Sequence, residues 1–262
     1  MHRILLALSF FLGLLGSTTR AALAQTPRQW GTWFVGTVQR PGTDEHRWGG
    51  FAEGQIRTDA SLFRQYFYHE LKGGVSLDLG KDFTALLGGG RYVTADPGDR
   101  AAGFRIQEAR LWQQLILTQY PNRLKLEHRY RLEQRWFRFR DDSTAFGQRL
   151  RYRLNAFLPL NRTVFGPRTV FLSAYNEIFL NPKGPFFERN RFYLGAGYQL
   201  NNQLTLQLGW LNQADYSRPR VRQGQFIPQG TAIKPSMVLA VSYRLAHRHD
   251  TTVPERLPSQ QD

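Results

Sequence analysis

The sequence predicts an all-β fold, a transmembrane antiparallel β-barrel of ten or twelve strands behind a cleaved signal peptide, and three observations predict it. An export signal opens the chain, apolar and charged residues then alternate with period two through most of the remainder, and cysteine is absent. A closed barrel accommodates all three.

The export signal comes first in the chain. His2 and Arg3 precede an apolar run from Ile4 to Leu15, and a polar, small-residue stretch then leads to Ala22-Leu23-Ala24. A positive start, a short apolar run and small residues before the cut are the parts of a secretory signal peptide. The run falls short of the roughly 20 residues that a spanning helix needs. The expected division is a signal peptide over 1–24, a barrel over 25–245 and a polar flexible tail over 246–262, with one domain and no interior linker. Cleavage removes only Arg3 and Arg20, so the exported chain keeps most of a formal charge of +15. Exported chains rarely meet nucleic acid, so this charge points to anionic lipid headgroups or small anions. Without disulfides, stability must come from burial or from complete backbone pairing. Abundant Phe, Tyr and Trp fit the same fold, because membrane barrels girdle both interfaces with aromatic side chains.

The period-two pattern is clearest from Leu124 to Trp136. Leu124, Leu126, His128, Tyr130, Leu132, Gln134 and Trp136 fall on one face of a strand, and Lys125, Glu127, Arg129, Arg131, Glu133 and Arg135 on the other. Residues 149–158 and 237–245 repeat the pattern, and comparable stretches predict strands near 30–39, 46–57, 66–79, 83–93, 104–118, 122–139, 146–158, 168–179, 187–199, 203–214 and 235–245. Most reach the roughly 9 to 11 residues that a tilted strand needs to cross hydrocarbon. Short connections at 80–82, 119–121 and 200–202 alternate with longer ones at 96–103, 140–145, 181–186 and 215–234. Bacterial barrels place short turns in the periplasm and longer loops outside. An odd number of strands cannot close antiparallel with both ends in the periplasm, so either 25–39 is no wall strand, leaving ten, or a further strand makes twelve. The soluble alternative, a lipocalin-like barrel, would turn its charged rows outward.

With these segments assigned, the chain resembles a family of bacterial outer-membrane β-barrels described as domain of unknown function 2490. The resemblance rests on YFYHELKGGVSLDL (66–79), KLEHRYRLEQR (125–135), RLRYRLNAFLPL (149–160), YNEIFL (175–180), ERNRFYLGAGYQ (188–199) and the closing 238–245. It implies an outer-membrane barrel and brings no activity, cofactor or substrate. The end departs from the usual pattern: a barrel normally stops at an aromatic residue, whereas Tyr243-Arg244-Leu245 is followed by a polar tail through Asp262.

The candidate site is the row of charge predicted to face the lumen: Glu70, Lys72 and Asp78; Glu108 and Arg110; Lys125, Glu127, Arg129, Arg131, Glu133 and Arg135; Arg149, Arg151 and Arg153; Glu177; and Arg189 with Arg191. Two readings stand. One is a cross-strand ion-pair network that satisfies itself and stiffens the wall. The other is an anion-selective constriction, in which guanidinium groups replace part of an anion's hydration. Glu177 opposite Arg189 and Arg191 is the pair expected to matter most. The matching functions are a structural wall protein or a narrow, anion-preferring, porin-like pore.

A lipid-modifying hydrolase is the rival class, since outer-membrane lipases carry Ser and His on the barrel wall. His69 and His128 fall on predicted lipid faces, but neither has a serine two residues away, and Ser76 and Ser173 point inward. No catalytic residue, cofactor or metal ligand is assigned, His247 and His249 reading as part of a solvated tail. Gly88-Gly89-Gly90 reads as relief of crowding in the wall. Trp30, Trp33, Trp48, Trp136, Trp210 and Tyr243 read as membrane girdle. Arg218, Arg220, Arg222 and Lys234 in the 215–234 loop are placed to touch lipopolysaccharide phosphates. The expected partners are outer-membrane lipid and lipopolysaccharide, the barrel-assembly machinery and small anions, with no nucleic acid.

Overall fold

The computed structural model describes residues 30–245 apart from 44–45, 61–63, 81, 98, 223–224 and 228. The expected signal peptide, His247 and His249 and the polar tail lie outside the described residues. Alternating stretches separated by turn residues form strands, and they run in chain order as β1 (Gly31–Arg40), β2 (Trp48–Ala60), β3 (Arg64–Asp78), β4 (Phe83–Asp96), β5 (Asp99–Gln119), β6 (Lys125–Phe139) and β7 (Thr144–Pro159). They continue as β8 (Thr169–Leu180), β9 (Phe187–Gln199), β10 (Leu204–Ser217), β11 (Arg220–Arg222), β12 (Gln225–Ile227) and β13 (Gly230–Arg244). Turn chemistry explains several of the breaks. Asn201 Oδ1 accepts the amides of Gln203 and Leu204 at 2.8 and 2.7 Å, and Asn181 Oδ1 accepts those of Lys183 and Gly184 at 3.0 and 2.9 Å. Asn122 and Asp142 take left-handed φ values of 58° and 59° at two further reversals.

Eleven strands, β1–β10 and β13, close a barrel, while β11 and β12 form a separate two-stranded sheet within the β10–β13 connection. The expected count of ten or twelve is therefore corrected to eleven. Successive strands pair antiparallel, and β1 pairs parallel with β13, Gly31 opposite Ser236 through Gln39 opposite Arg244. An even strand count is required only where the first and last strands meet antiparallel. A parallel ladder also satisfies both backbones and leaves no free edge, so an odd barrel closes without cost in unpaired groups.

Parallel closure puts the start of β1 and the end of β13 at opposite ends of the barrel. We call the end carrying the β10–β13 connection the loop end and the end where β13 finishes the turn end. The expected strict alternation of connection lengths does not hold, because the β7–β8 connection at the turn end spans 160–168 and most of 96–103 is taken up by β4 and β5. That turn-end connection folds over the barrel. Arg123 Nη2 donates to the carbonyls of Pro159, Leu160 and Arg162 at 2.9, 3.2 and 2.7 Å, and Phe165 packs edge-on against Phe171.

The wall is inside-out relative to a soluble barrel. On β6, Lys125, Glu127, Arg129, Arg131 and Glu133 are buried within the barrel, while Tyr130 and Leu132 are 48% and 40% exposed. On β13, Val238, Ala240, Ser242 and Arg244 are buried and Val241 and Tyr243 are exposed. Leu71, Val75, Leu87, Leu115, Leu172, Leu194 and Leu208 continue the exposed apolar surface around the other strands.

Candidate functional site

The interior site is assembled from inward positions that the two-residue repeat places on one face of each strand. β6 supplies a run of charged residues, β7 supplies Arg149, Arg151 and Arg153, and β8 supplies Glu177. Antiparallel register sets Arg129 opposite Arg153 and Arg131 opposite Arg151, so like charges meet across the β6–β7 ladder. Carboxylates inserted between them offset that repulsion. Glu177 accepts from Arg129 Nη2 at 2.6 Å, Arg151 Nε at 2.9 Å and Arg153 Nη2 at 2.8 Å. Glu133 accepts from Arg149 Nη2 and Arg151 Nη1 at 2.7 Å each, with Arg110 and Arg131 at 3.5 Å. Arg151 thus bridges the two carboxylates.

Three smaller groups flank this centre. Glu108 joins Arg110 at 2.8 Å and Arg135 at 2.6 Å, and Lys125 joins Glu127 at 2.6 Å. Lys72 Nζ lies 2.7 Å from Glu53 and 2.6 Å from Glu70. Asp78 accepts from Thr84 Oγ1 at 2.6 Å.

The structure brings Glu108, Arg110, Glu127, Arg129, Arg131, Glu133, Arg151, Arg153, Glu177 and Arg191 together as buried side chains inside the barrel. The expected Glu177–Arg189 pairing is corrected. Arg191 is the register partner of Glu177, at 3.9 Å, whereas Arg189 sits two residues nearer the loop end and pairs with Asp215 at 2.5 Å. The two-residue strand period explains this: positions 189 and 191 share a face but lie about 7 Å apart along the strand.

Sequence reasoning missed the aromatic half of the interior. Trp33, assigned to the membrane girdle, is instead 6% exposed inside the barrel, packed with Tyr175, Tyr193, Leu211 and Val238. The local sequence Trp33-Phe34-Val35 is apolar on both faces, so alternation alone could not orient it. Arg57 also went unassigned, and its guanidinium lies 3.7 Å from the Trp33 ring centroid and 4.1 Å from that of Tyr68. Arg110 stacks over Tyr92 at 3.8 Å and Arg153 over Tyr175 at 4.0 Å. Planar guanidinium groups suit both carboxylates and ring faces, which explains why arginine rather than lysine dominates here.

Around the barrel, side chains at middle height leave almost no exposed surface. Trp112, Glu133, Glu177, Phe179, Tyr193 and Leu211 are 0% exposed and Arg131, Arg151 and Arg153 at most 3%. Phe157, Phe165 and Phe171 fill the turn end. Toward the loop end the packing opens into a cavity of about 370 Å³, lined by residues of β1 to β7, β9, β10 and β13.

On the outer wall, His128 Nδ1 and the Tyr152 hydroxyl are 2.9 Å apart, and His69 contacts the Tyr66 hydroxyl. Inside, Ser173 Oγ donates to Gln207 at 3.3 Å. Trp48, Trp136 and Tyr243 are exposed on the outer wall and Trp210 stacks edge-on with Phe192. Lys234 pairs with Asp215 at 2.9 Å and Arg218 donates to the carbonyl of Gly184.

The family described as Protein of unknown function (DUF2490) matches residues 30–224, which run from the start of β1 into the β10–β13 connection. The chain belongs to that family. Neither the curated proteins nor the solved structures gave a match. For this DUF2490 chain the match covers ten of the eleven barrel strands and ends before β13, which the closed topology requires to seal β1 against β10.

Proposed function

We propose that the protein is an integral β-barrel of the bacterial outer membrane, exported by a signal peptide over 1–24, whose lumen is sealed and which acts as a structural wall protein and not as an open pore. The inside-out distribution of side chains supports the membrane address. A soluble protein rarely exposes contiguous apolar surface on this scale, and here Leu, Val, Ile and aromatic side chains are exposed on every barrel strand while charge is enclosed. On β7 the outward apolar residues run from Leu150 to Leu158. At roughly 3.3 Å per residue and a tilt near 45°, such a run covers about 20 Å, close to the ~25 Å apolar band of outer-membrane barrels.

Sealing is supported by the middle layer, where Arg131, Arg151, Glu133, Glu177, Trp112 and Tyr193 are at most 3% exposed. An anion-preferring pore would need a continuous water path past guanidinium groups at its constriction. Two measurements test the reading. The protein should partition with outer membranes and need detergent for release; recovery as a soluble periplasmic protein would end the membrane reading. Reconstituted in planar bilayers, it should give no sustained conductance steps, and steady anion-selective steps would return the pore reading.

A further inference from the structure

The cavity at the loop end differs from the sealed centre beneath it. Nine of its lining side chains are cationic and three, Asp59, Glu70 and Glu108, are carboxylates. Four further acids stand behind the lining, Glu133 beside Arg149 and Arg151, Glu177 beside Arg151 and Arg191, Glu188 beside Arg149 and Asp215 beside Arg189 and Lys234, and the cations still outnumber the acids. Among the described residues, eleven basic and seven acidic side chains are buried overall, so the surplus extends through the barrel. Enclosed like charge in a low-dielectric wall raises a positive potential that focuses at the open end.

We infer that this cavity binds a compact, water-soluble polyanion bearing phosphoryl or carboxylate groups. Its guanidinium groups are held in place before any ligand arrives: Arg57 is sandwiched between Trp33 and Tyr68, Arg135 is tied to Glu108 and Arg191 donates to Gln213 at 2.9 Å. Preorganised forks lose little side-chain entropy on binding. A volume of about 370 Å³ admits a small molecule and excludes a polymer. Trp33, Tyr68 and Phe137 give the cup flat walls for an organic body attached to the anionic group. The cup opens through the barrel mouth rather than the outer wall, so its ligand arrives from water and not sideways from lipid. The inference rests on the sealed lumen proposed above only in making the cup blind; binding in detergent and conductance in a bilayer are separate readouts.

The test is calorimetric titration of detergent-purified, folded protein with inorganic pyrophosphate at constant ionic strength. Saturable one-site binding is expected, with a matching rise in the unfolding midpoint of the wild-type protein. The double variant Arg189→Gln, Lys234→Gln at the rim should weaken binding about tenfold or more, a change of roughly 1.4 kcal/mol per decade. Arg140→Gln, whose side chain pairs with Asp96 outside the cup, should leave binding unchanged. Absence of saturable binding, or equal loss in Arg140→Gln, overturns the site. Displacement of pyrophosphate by phosphatidylglycerol micelles overturns the water-soluble source.

Discussion

Glu177 shows how tightly single residues are constrained inside this barrel. Its carboxylate is fully buried within 2.8 Å of Arg129, Arg151 and Arg153, so Glu177→Gln would leave three guanidinium groups facing one another without the charge that separates them. Removing one partner of a buried ionic group costs about 3–5 kcal/mol. Urea unfolding of the refolded protein in detergent should register a loss of that size. By contrast, Arg138 pairs with Asp142 where their side chains are 58% and 73% exposed, and Arg138→Gln should change stability by less than about 1 kcal/mol. Equal effects of the two substitutions would mean that the interior is hydrated. Gly88 is constrained sterically. It is paired with Trp112, and a Cβ there would overlap the indole ring. Gly88→Val should therefore cost about 1–3 kcal/mol through overpacking, read in the same unfolding assay. The glycine run was recognisable in the sequence as relief of crowding, but its partner ring, Trp112 on the neighbouring strand β5, was not.

At the scale of elements, alternation located all eleven barrel strands, each within a few residues of its observed bounds apart from the extensions of β4, β5, β10 and β13 toward the loop end. Those extensions lack a regular alternation of apolar and polar residues, so periodicity stops before the backbone pairing does. Closure was beyond its reach. Pairing direction between the first and last strands depends on which end of the barrel β1 enters, and side-chain alternation is the same whichever way a strand runs. The parallel seam is directly testable because the chain has no cysteine. Val38 and Tyr243 are register partners on the outer wall, and Val38→Cys with Tyr243→Cys should cross-link under mild oxidation in the folded protein. An antiparallel seam would put residue 38 near the other end of β13, and cross-linking of Val38→Cys to a cysteine there instead would show that the register is wrong. Connection lengths proved less informative than strands, since the 160–168 connection is long yet lies at the turn end, held there by Arg123 and Phe165.

At the scale of the whole molecule, the barrel is a shell with apolar side chains outside and an ionic, aromatic filling inside. Such a filling stabilises only if the wall keeps bulk water out, because each buried guanidinium gains from its carboxylate what it loses in hydration. The filling and the wall therefore depend on each other. Phe165→Ala at the turn end should loosen one cap without opening the lumen, because Glu133, Glu177 and Trp112 remain packed beneath it. Planar-bilayer recordings of that variant should stay silent, and steady conductance would show that the turn-end cap, and not the middle layer, provides the seal.

The sequence by itself determined which residues alternate, and through them the strands, the enclosed charge and the apolar exterior, because two-residue periodicity is a local property of an extended chain. Only the tertiary structure decided the number and sense of the closing strands, the inward turn of Trp33, the separation of Arg189 from Glu177 and the shape of the cationic cup. Each of those depends on register between segments distant in the chain, and register is set when all eleven strands close on one another at once.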